Sequence, residues 1–233
     1  MPLREDWDAN AQGWIEWARS PAHSHPYWRF HRPRFLELLP PPGKLTVEIG
    51  CGEGRLLREL RQIGHRVIGV DGSLALARAA VAADSEVPVL VGDASALPLA
   101  SEIADLAVTL MALQNVEDLP GACREAARVL VSGGQFCIGI PHPLKFLIDQ
   151  GVGRTSYVQA QRYDRVTQRQ GLRVTLPSGY RPLEAYFQAL DAAHLGVESV
   201  REPVPTQDHV RDNPQMARCL QIPCLLLIRA RKS

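Results

Sequence analysis

Residues 47–56, Val47-Glu48-Ile49-Gly50-Cys51-Gly52-Glu53-Gly54-Arg55-Leu56, leave this chain few ways to fold. An apolar run, Leu45–Ile49, reads as a buried strand; three glycines follow at alternate positions, and Arg55–Ile63 reads as a helix stopped by Gly64. Glycine reaches positive φ at little cost and lets backbone approach a ligand with no Cβ in the way. Such a turn therefore carries a strand into a helix N-terminus, whose free amides can meet an anionic or carboxylate group.

The rest of the chain keeps the rhythm. Arg66–Val70, Pro88–Val91, Asp105–Met111 and Gln135–Ile140 read as strands. Ser73–Ala83, with Ser73 as N-cap, and Pro120–Leu130, closed by Gly133-Gly134, read as helices. Short apolar strands alternating with helices predict a parallel sheet covered on both faces, with the loops after the strands gathered along one edge. A helix over Leu183–Leu195, a strand near Gly196–Glu202 and a last strand at Pro223–Arg229 follow. No long helical pattern separates the final two strands, so they are expected to pair antiparallel.

Three acids fall at successive strand ends. Glu48 precedes the glycines, where a carboxylate could face an ammonium or sulfonium; Asp71 ends the second strand, where an acid grips ribose hydroxyls; Asp93 follows the third, placed for an adenine amino group, with the Ala94 backbone reading the ring. The spacing G-x-G-x-G differs from the G-x-G-x-x-G of dinucleotide sites, and no Gly-Lys-Ser/Thr phosphate loop is present. A nucleoside carrying a cationic sulfonium and an amino-acid end suits such acids better than a phosphate ligand does.

With these residues the chain resembles the class I S-adenosylmethionine-dependent methyltransferases over roughly 45–140. The resemblance implies a Rossmann-like, doubly wound α/β fold: a seven-stranded sheet, mostly parallel with an antiparallel last strand. It gives donor-binding roles to Glu48, Gly50, Cys51, Gly52, Gly54, Asp71, Gly72, Asp93 and Ala94, and makes the segment containing Met111 a wall of the methyl–sulfonium cavity. S-adenosyl-L-methionine would be the cofactor and S-adenosyl-L-homocysteine the product. Gly179-Tyr180-Arg181-Pro182-Leu183 is similar to a tail of bacterial small-molecule members that often reads His-Arg-Pro-Leu; Tyr180 stands here for the histidine.

Residues 1–40 and 141–182 lie outside that match, within what is expected to be one domain over 1–233. The first segment holds all four tryptophans; Trp7, Trp14 and Trp17 share a helix face, which either packs on the sheet edge or closes as a lid with Trp14 and Trp17 near the donor. The second is an insertion between the fifth and sixth strands. It is either a substrate cover, with Tyr157, Tyr163, Asp164, Arg165 and Arg181 selecting an acceptor, or a solvated hairpin. His142, between two prolines past the fifth strand, is the first candidate for a general base, or else it orients its loop by hydrogen bonding. His31 is the second candidate, or a surface or capping histidine.

Bulk properties narrow the partners. A net charge of +1 and the lack of a basic run disfavour nucleic acid and anionic membranes; the resemblance adds that base methyltransferases of the fold carry a Pro-Pro-aromatic loop after the fourth strand, which this chain lacks. Five cysteines without a C-x-x-C predict reduced thiols rather than a disulfide framework or zinc site, with Cys224 a buried structural thiol. His23-x-His25 lacks a third ligand, so no metal is expected. A polar N-terminus and the lack of a long apolar run suggest a cytoplasmic protein, monomer or homodimer, acting on a small molecule. A nicotinamide-dependent oxidoreductase and a non-catalytic S-adenosylmethionine-binding scaffold are the alternatives.

Overall fold

Four consecutive buried residues put strand β1 (Thr46–Ile49) in the middle of a sheet covered on both faces. The computed structural model describes residues 3–151 and 155–233; residues 1–2 of the expected lid and 152–154 of the expected insertion lie outside it. Within the described residues, β1 is joined by β2 (Val67–Asp71), β3 (Val89–Val91), β4 (Ala104–Leu110) and β5 (Leu130–Pro141). A hairpin of β6 (Gln161–Arg169) and β7 (Leu172–Tyr180) stands apart, and β8 (Leu195–Arg201) and β9 (Leu225–Lys232) complete the main sheet. Its order is β3-β2-β1-β4-β5-β9-β8, parallel except for β9, which runs antiparallel to both neighbours. This is the Rossmann-like sheet expected, with the antiparallel last strand wedged between the fifth and the sixth.

Helices cover both faces. The aliphatic stripe of α4 (Arg55–Gln62), Leu56, Leu57 and Leu60, packs with Phe35, Leu38, Val108 and Leu227 on one face. On the other, α6 (Leu119–Val129) and α8 (Leu183–Ala192) bring Ala122, Ala126 and Leu190 against Val47, Ile49 and Phe136. Caps fix where helices begin: the Ser73 hydroxyl accepts from the Leu76 amide at the head of α5 (Leu74–Ala83), and Asp118 accepts from Gly121 at the head of α6.

Four details depart from expectation. Strand β5 starts at Leu130 rather than Gln135, because Gly133 (φ +75°) carries the chain through a register shift that Gly133-Gly134 had suggested as a helix stop. The insertion adds a helix, α7 (Pro143–Gln150), to the hairpin that was one of its two expected readings; the hairpin's nine paired positions close on Gln170-Gly171, both at positive φ. The loop before β9 holds a short helix, α9 (Gln207–Asp212), and a 3₁₀ stretch, Pro214–Leu220, too brief to show a period. Finally, Cys219 and Cys224 form a disulfide, so Cys224 is not the free thiol expected; the two Cα atoms, five residues apart in sequence, lie 5.4 Å from each other.

The N-terminal segment folds as α1 (Leu3–Ala9), α2 (Ala11–Arg19), a π-helical turn (Tyr27–His31) and α3 (Arg32–Leu36). Its tryptophan stripe does not pack on the sheet edge. Trp17 is buried against Val174 and Leu176 of β7, with Trp7, Trp14 and Leu172 at the margin of the same cluster.

Candidate active site

The ends of β1 to β4 open onto one edge, and a cavity of about 250 Å³ lies there under the N-terminal helices. The glycine turn begins with the amides of Gly50 and Cys51 both donating to the Val70 carbonyl, at 2.8 and 3.1 Å. Gly50, Gly52 and Gly54 all have positive φ. A Cβ on Gly50 would collide with that of Ala112, and one on Gly54 would lie 2.9 Å from the Ala80 Cβ. At Gly52 a Cβ would instead project into the cleft, 3.6 Å from the Trp14 indole nitrogen.

The three acids differ in how they are held. Asp71 accepts from the Gly52 amide (2.6 Å) through one oxygen and from the Ser73 amide (2.9 Å) through the other, so it ties the glycine turn to the end of β2. Burial raises its pKa, against the pull of those two amides. Asp93 accepts from the Ser95 amide and hydroxyl, which lower its pKa, and Arg4 of α1 stands 3.3 Å from its second oxygen. Glu48 is 3% exposed, and its Oε2 is buried with no hydrogen-bond partner. Burial, then the neighbouring Asp71 charge, raise its pKa well above the usual carboxylate range. A buried carboxylate oxygen without a donor fits a cationic ligand in this cleft.

Most of the expected donor residues converge. Glu48, Gly50, Cys51 and Gly52 line the cleft from one side; Asp71, Gly72, Asp93 and Ala94 line it from the next strands, with Met111 and Trp14. Two do not. Gly54 lies behind the turn, where it lets α4 approach α5, and Trp17 is spent on β7 and stacks on His23. The sequence reading missed Trp7, Tyr27 and Arg55, which also line the cleft. The Arg55 guanidinium lies 3.4 Å over the Tyr27 ring and 4.9 Å from that of Trp14. Its place directly after Gly54 was the only signal available.

The N-terminal helices are fastened across this cleft. The Leu3 amide donates to Glu117 (2.9 Å), and Asp8 accepts from the Ser73 hydroxyl (2.5 Å) and the Ala75 amide (2.9 Å). Arg19 donates to Glu53 and to the Ala79 carbonyl, and Asp6 pairs with Arg162 of β6.

A second cavity, about 60 Å³, shares the lining residue Met111 with the first and is lined by both histidine candidates. Met111 has φ +60°, unusual for a residue with a side chain, and is held there by its amide donating to the Gly139 carbonyl (2.7 Å). Tyr163, Arg165 and Arg181 line this cavity with Lys145, Phe146 and Gln114; Tyr157 and Asp164 do not. The Gln114 amide nitrogen donates to the Met111 carbonyl (2.8 Å), leaving its Oε1 buried and unpartnered. Arg181 donates to the carbonyls of Gln114, Val116 and Glu117, docking the end of β7 on the loop after β4.

The two histidines part company. His142 Nδ1 accepts from the Leu144 amide (3.1 Å) as N-cap of α7, and Nε2 lies 2.7 Å from Glu202. Nδ1 is taken up by the cap, whereas the buried Nε2 approaches Glu202 without the geometry of a hydrogen bond, and burial lowers the pKa despite Glu202. No described residue hydrogen-bonds the His31 ring, which faces the second cavity. Burial and the cations Arg55, Arg165 and Lys145 push its pKa down to about 3, so it is neutral near pH 7.

No described helix is long and apolar enough to cross a membrane. A methyltransferase-domain family model matches residues 47–138. The 2-phytyl-1,4-naphtoquinone methyltransferase of Thermosynechococcus vestitus is 35% identical over 133 residues, 54% of this chain and 58% of that protein. The malonyl-[acyl-carrier protein] O-methyltransferase of Pectobacterium atrosepticum is 39% identical over 105 residues, 43% of this chain and 40% of its own length. The chain thus spans about half the length of these relatives. An S-adenosylmethionine-dependent methyltransferase structure from Mesorhizobium loti superposes with a TM-score of 0.67 at 25% identity, covering 86% of this chain and 96% of that one. Residues 47–138 match a methyltransferase domain, and the sheet and the cleft at the end of the glycine turn are similar to those of S-adenosylmethionine-dependent methyltransferases.

Proposed function

We propose that this chain transfers a methyl group from S-adenosylmethionine to an oxygen, nitrogen or carbon atom of a small molecule seated in the second cavity. The observation that carries the reading is that Met111 lines both cavities, with a buried, unpartnered acid oxygen, that of Glu48, on the donor side. When bound, S-adenosylmethionine supplies a methyl group already activated by its sulfonium. What remains for the protein is alignment and exclusion of water, which together can account for much of the barrier.

The residues divide that work. Glu48 balances positive charge, Asp71 holds the ribose, and Asp93 with the Ala94 backbone reads the adenine. Trp7 and Trp14 of the N-terminal helices act as a lid. On the acceptor side, the neutral His31 ring and the free Gln114 Oε1 can each accept a hydrogen bond from an acceptor O–H or N–H and so aim its lone pair. Burial, then the cations Arg55, Arg165 and Lys145, make His31 a poor proton sink, and those cations favour an acceptor that arrives ionised. A strong general base is then unnecessary.

A nicotinamide-dependent oxidoreductase fits less well, since three strand-end carboxylates would face a pyrophosphate. A purely binding role leaves the second cavity without a purpose. The test is incubation with isotopically labelled S-adenosylmethionine and a metabolite extract, with mass analysis of what gains a methyl. A labelled small molecule is expected; S-adenosylhomocysteine binding without any labelled product would reject catalysis.

A further inference from the structure

The second cavity carries more positive charge than its own walls neutralise. Its lining holds three cations, Lys145, Arg165 and Arg181, and one acid, Asp149. Asp149 is already shared by Lys145 and by Arg218, the latter at 3.1 Å. Arg181 is held by the backbone carbonyls of Gln114, Val116 and Glu117, and Glu202, 2.7 Å from His142, lies outside the lining. Arg165 makes neither a hydrogen bond nor an ion pair among the described residues. Beside these charges stands an aromatic wall: Phe146 stacks on Tyr180 with ring centres 4.1 Å apart and meets Tyr163 at 4.7 Å. Room is the third constraint, since the cavity measures about 60 Å³. A water needs about 10–15 Å³ of free space and fills about 30 Å³ of liquid, so the cavity has room for roughly four to six waters, or one six-membered ring. A phosphate or an aliphatic acid would answer Arg165 and leave the rings unused; an uncharged arene would do the reverse.

We infer that the methyl acceptor is a single-ring aromatic carboxylate, its ring lying against Phe146, Tyr163 and Tyr180 and its carboxylate on the Arg165 guanidinium. This rests on the methyl-transfer reading and names the class of molecule that reading leaves open. The planar fork of a guanidinium suits a carboxylate. Arg165 is exposed on β6 and marks the end of the cavity that opens to solvent, whereas Met111 marks the end next to the donor cleft. The carboxylate is therefore an anchor and not the group that faces the donor. Because Tyr163, Arg165 and Tyr180 belong to the hairpin and Phe146 to α7, the insertion sets acceptor specificity.

Calorimetry on the S-adenosylhomocysteine complex, which leaves the second cavity as the place to bind, tests this with benzoate, benzamide, cyclohexanecarboxylate and 1-naphthoate. Benzoate is expected to bind about three- to fivefold tighter than benzamide, the effect of one exposed ion pair. It should also bind tighter than the non-planar cyclohexanecarboxylate and the two-ring 1-naphthoate. Arg165→Gln should remove most of the preference over benzamide by weakening benzoate alone, as a thermodynamic cycle requires. Arg165→Lys, which keeps the charge but not the fork, should fall between the two and serves if the glutamine variant does not fold. Benzoate bound no better than benzamide, cyclohexanecarboxylate or 1-naphthoate, or an unchanged preference in a folded variant, overturns the assignment. In the labelled extract the methylated metabolite should be a one-ring aromatic acid. An aliphatic or two-ring product overturns this class of acceptor and leaves methyl transfer standing, whereas a chain that does not bind S-adenosylhomocysteine overturns the reading beneath it.

Discussion

The donor cleft takes most of its wall from consecutive strand ends, Glu48 to Leu56, Val70 to Ser73 and Gly92 to Ser95, whereas the second cavity collects His31, Met111, His142, Tyr163 and Arg181 from five separate stretches of chain. In the first, backbone does the positioning: positive-φ glycines shape the turn and Asp71 ties it with amide hydrogen bonds. In the second, position depends on where an inserted hairpin docks, through Arg181 and through Gly179, whose amide donates to Asn115 (3.1 Å). A ligand common to a whole family can be held by backbone, while an acceptor that differs from member to member is left to side chains that can be exchanged without disturbing the sheet.

If that contrast is right, the largest losses follow from backbone changes on the donor side. Gly50→Ala places a Cβ against Ala112 at φ +75°. Left-handed strain and overpacking together come to about 2–4 kcal/mol. S-adenosylhomocysteine affinity should therefore fall at least 30-fold in calorimetry, with a lowered Tm; near-native affinity would mean the turn is plastic and the contrast false.

Asp71→Ala comes next. It removes the acceptor for the Gly52 and Ser73 amides as well as the expected ribose contacts, and should weaken S-adenosylhomocysteine by about 1.5–3 kcal/mol. Asp71→Asn retains one oxygen and should recover part of the loss. Calorimetry on the pair separates the two roles: no recovery assigns Asp71 chiefly to the ligand, full recovery chiefly to the turn.

The same contrast explains what could be read from sequence. The alternation of strands and helices, the antiparallel pairing of the last two strands and the glycine turn follow from local periodicity and from the stereochemistry of single residues, which a sequence displays directly. So do the strand-end acids, because a period of alternating strands and helices fixes their edge. Trp17 was misplaced because helical periodicity identifies a face but not its partner: Trp14 and Trp17 share a stripe, yet one borders the cleft and the other is buried on β7. Arg55 escaped because its place on the cleft wall depends on Tyr27 and Trp14, distant in sequence. The hairpin stood only as one of two readings of residues 141–182, because β6 presents polar side chains to solvent and turns on Gln-Gly, weaker than the Asn-Gly or Asp-Gly that such turns prefer. The Cys219–Cys224 bridge had no spacing motif to announce it.

On the acceptor side, His31→Gln should lower kcat/KM for the identified acceptor about tenfold, the effect of one hydrogen bond, with S-adenosylhomocysteine affinity changed less than about twofold. Stability supplies a second readout. With a folded pKa of about 3 against an ordinary value of 6.5, neutral His31 favours the folded state fully above pH 6.5, and that contribution is lost as pH falls towards 3. The Tm of the wild-type chain should therefore drop between pH 7 and pH 5 by more than that of His31→Gln. Parallel pH profiles would show that the ring is not buried among cations, and would remove the reason for giving it an aiming role.

The smallest effect is expected at His142, where sequence pointed most directly to chemistry. Its Nδ1 caps α7 and its Nε2 lies 2.7 Å from Glu202, so the ring sits between the helix head and a carboxylate. His142→Ala should cost about 1 kcal/mol of stability, typical of a lost N-cap, lowering Tm by roughly 2–4 °C in a chain of this size with kcat within about twofold. Asparagine, a strong N-cap residue, should restore most of the Tm in His142→Asn. A base would give the opposite pattern, since neither alanine nor asparagine can take a proton: both variants would lose turnover alike while differing in Tm. If kcat collapses in both, His142 must release Glu202 and turn towards Met111 when the acceptor enters, and the second cavity would be assembled by its ligand rather than built in advance.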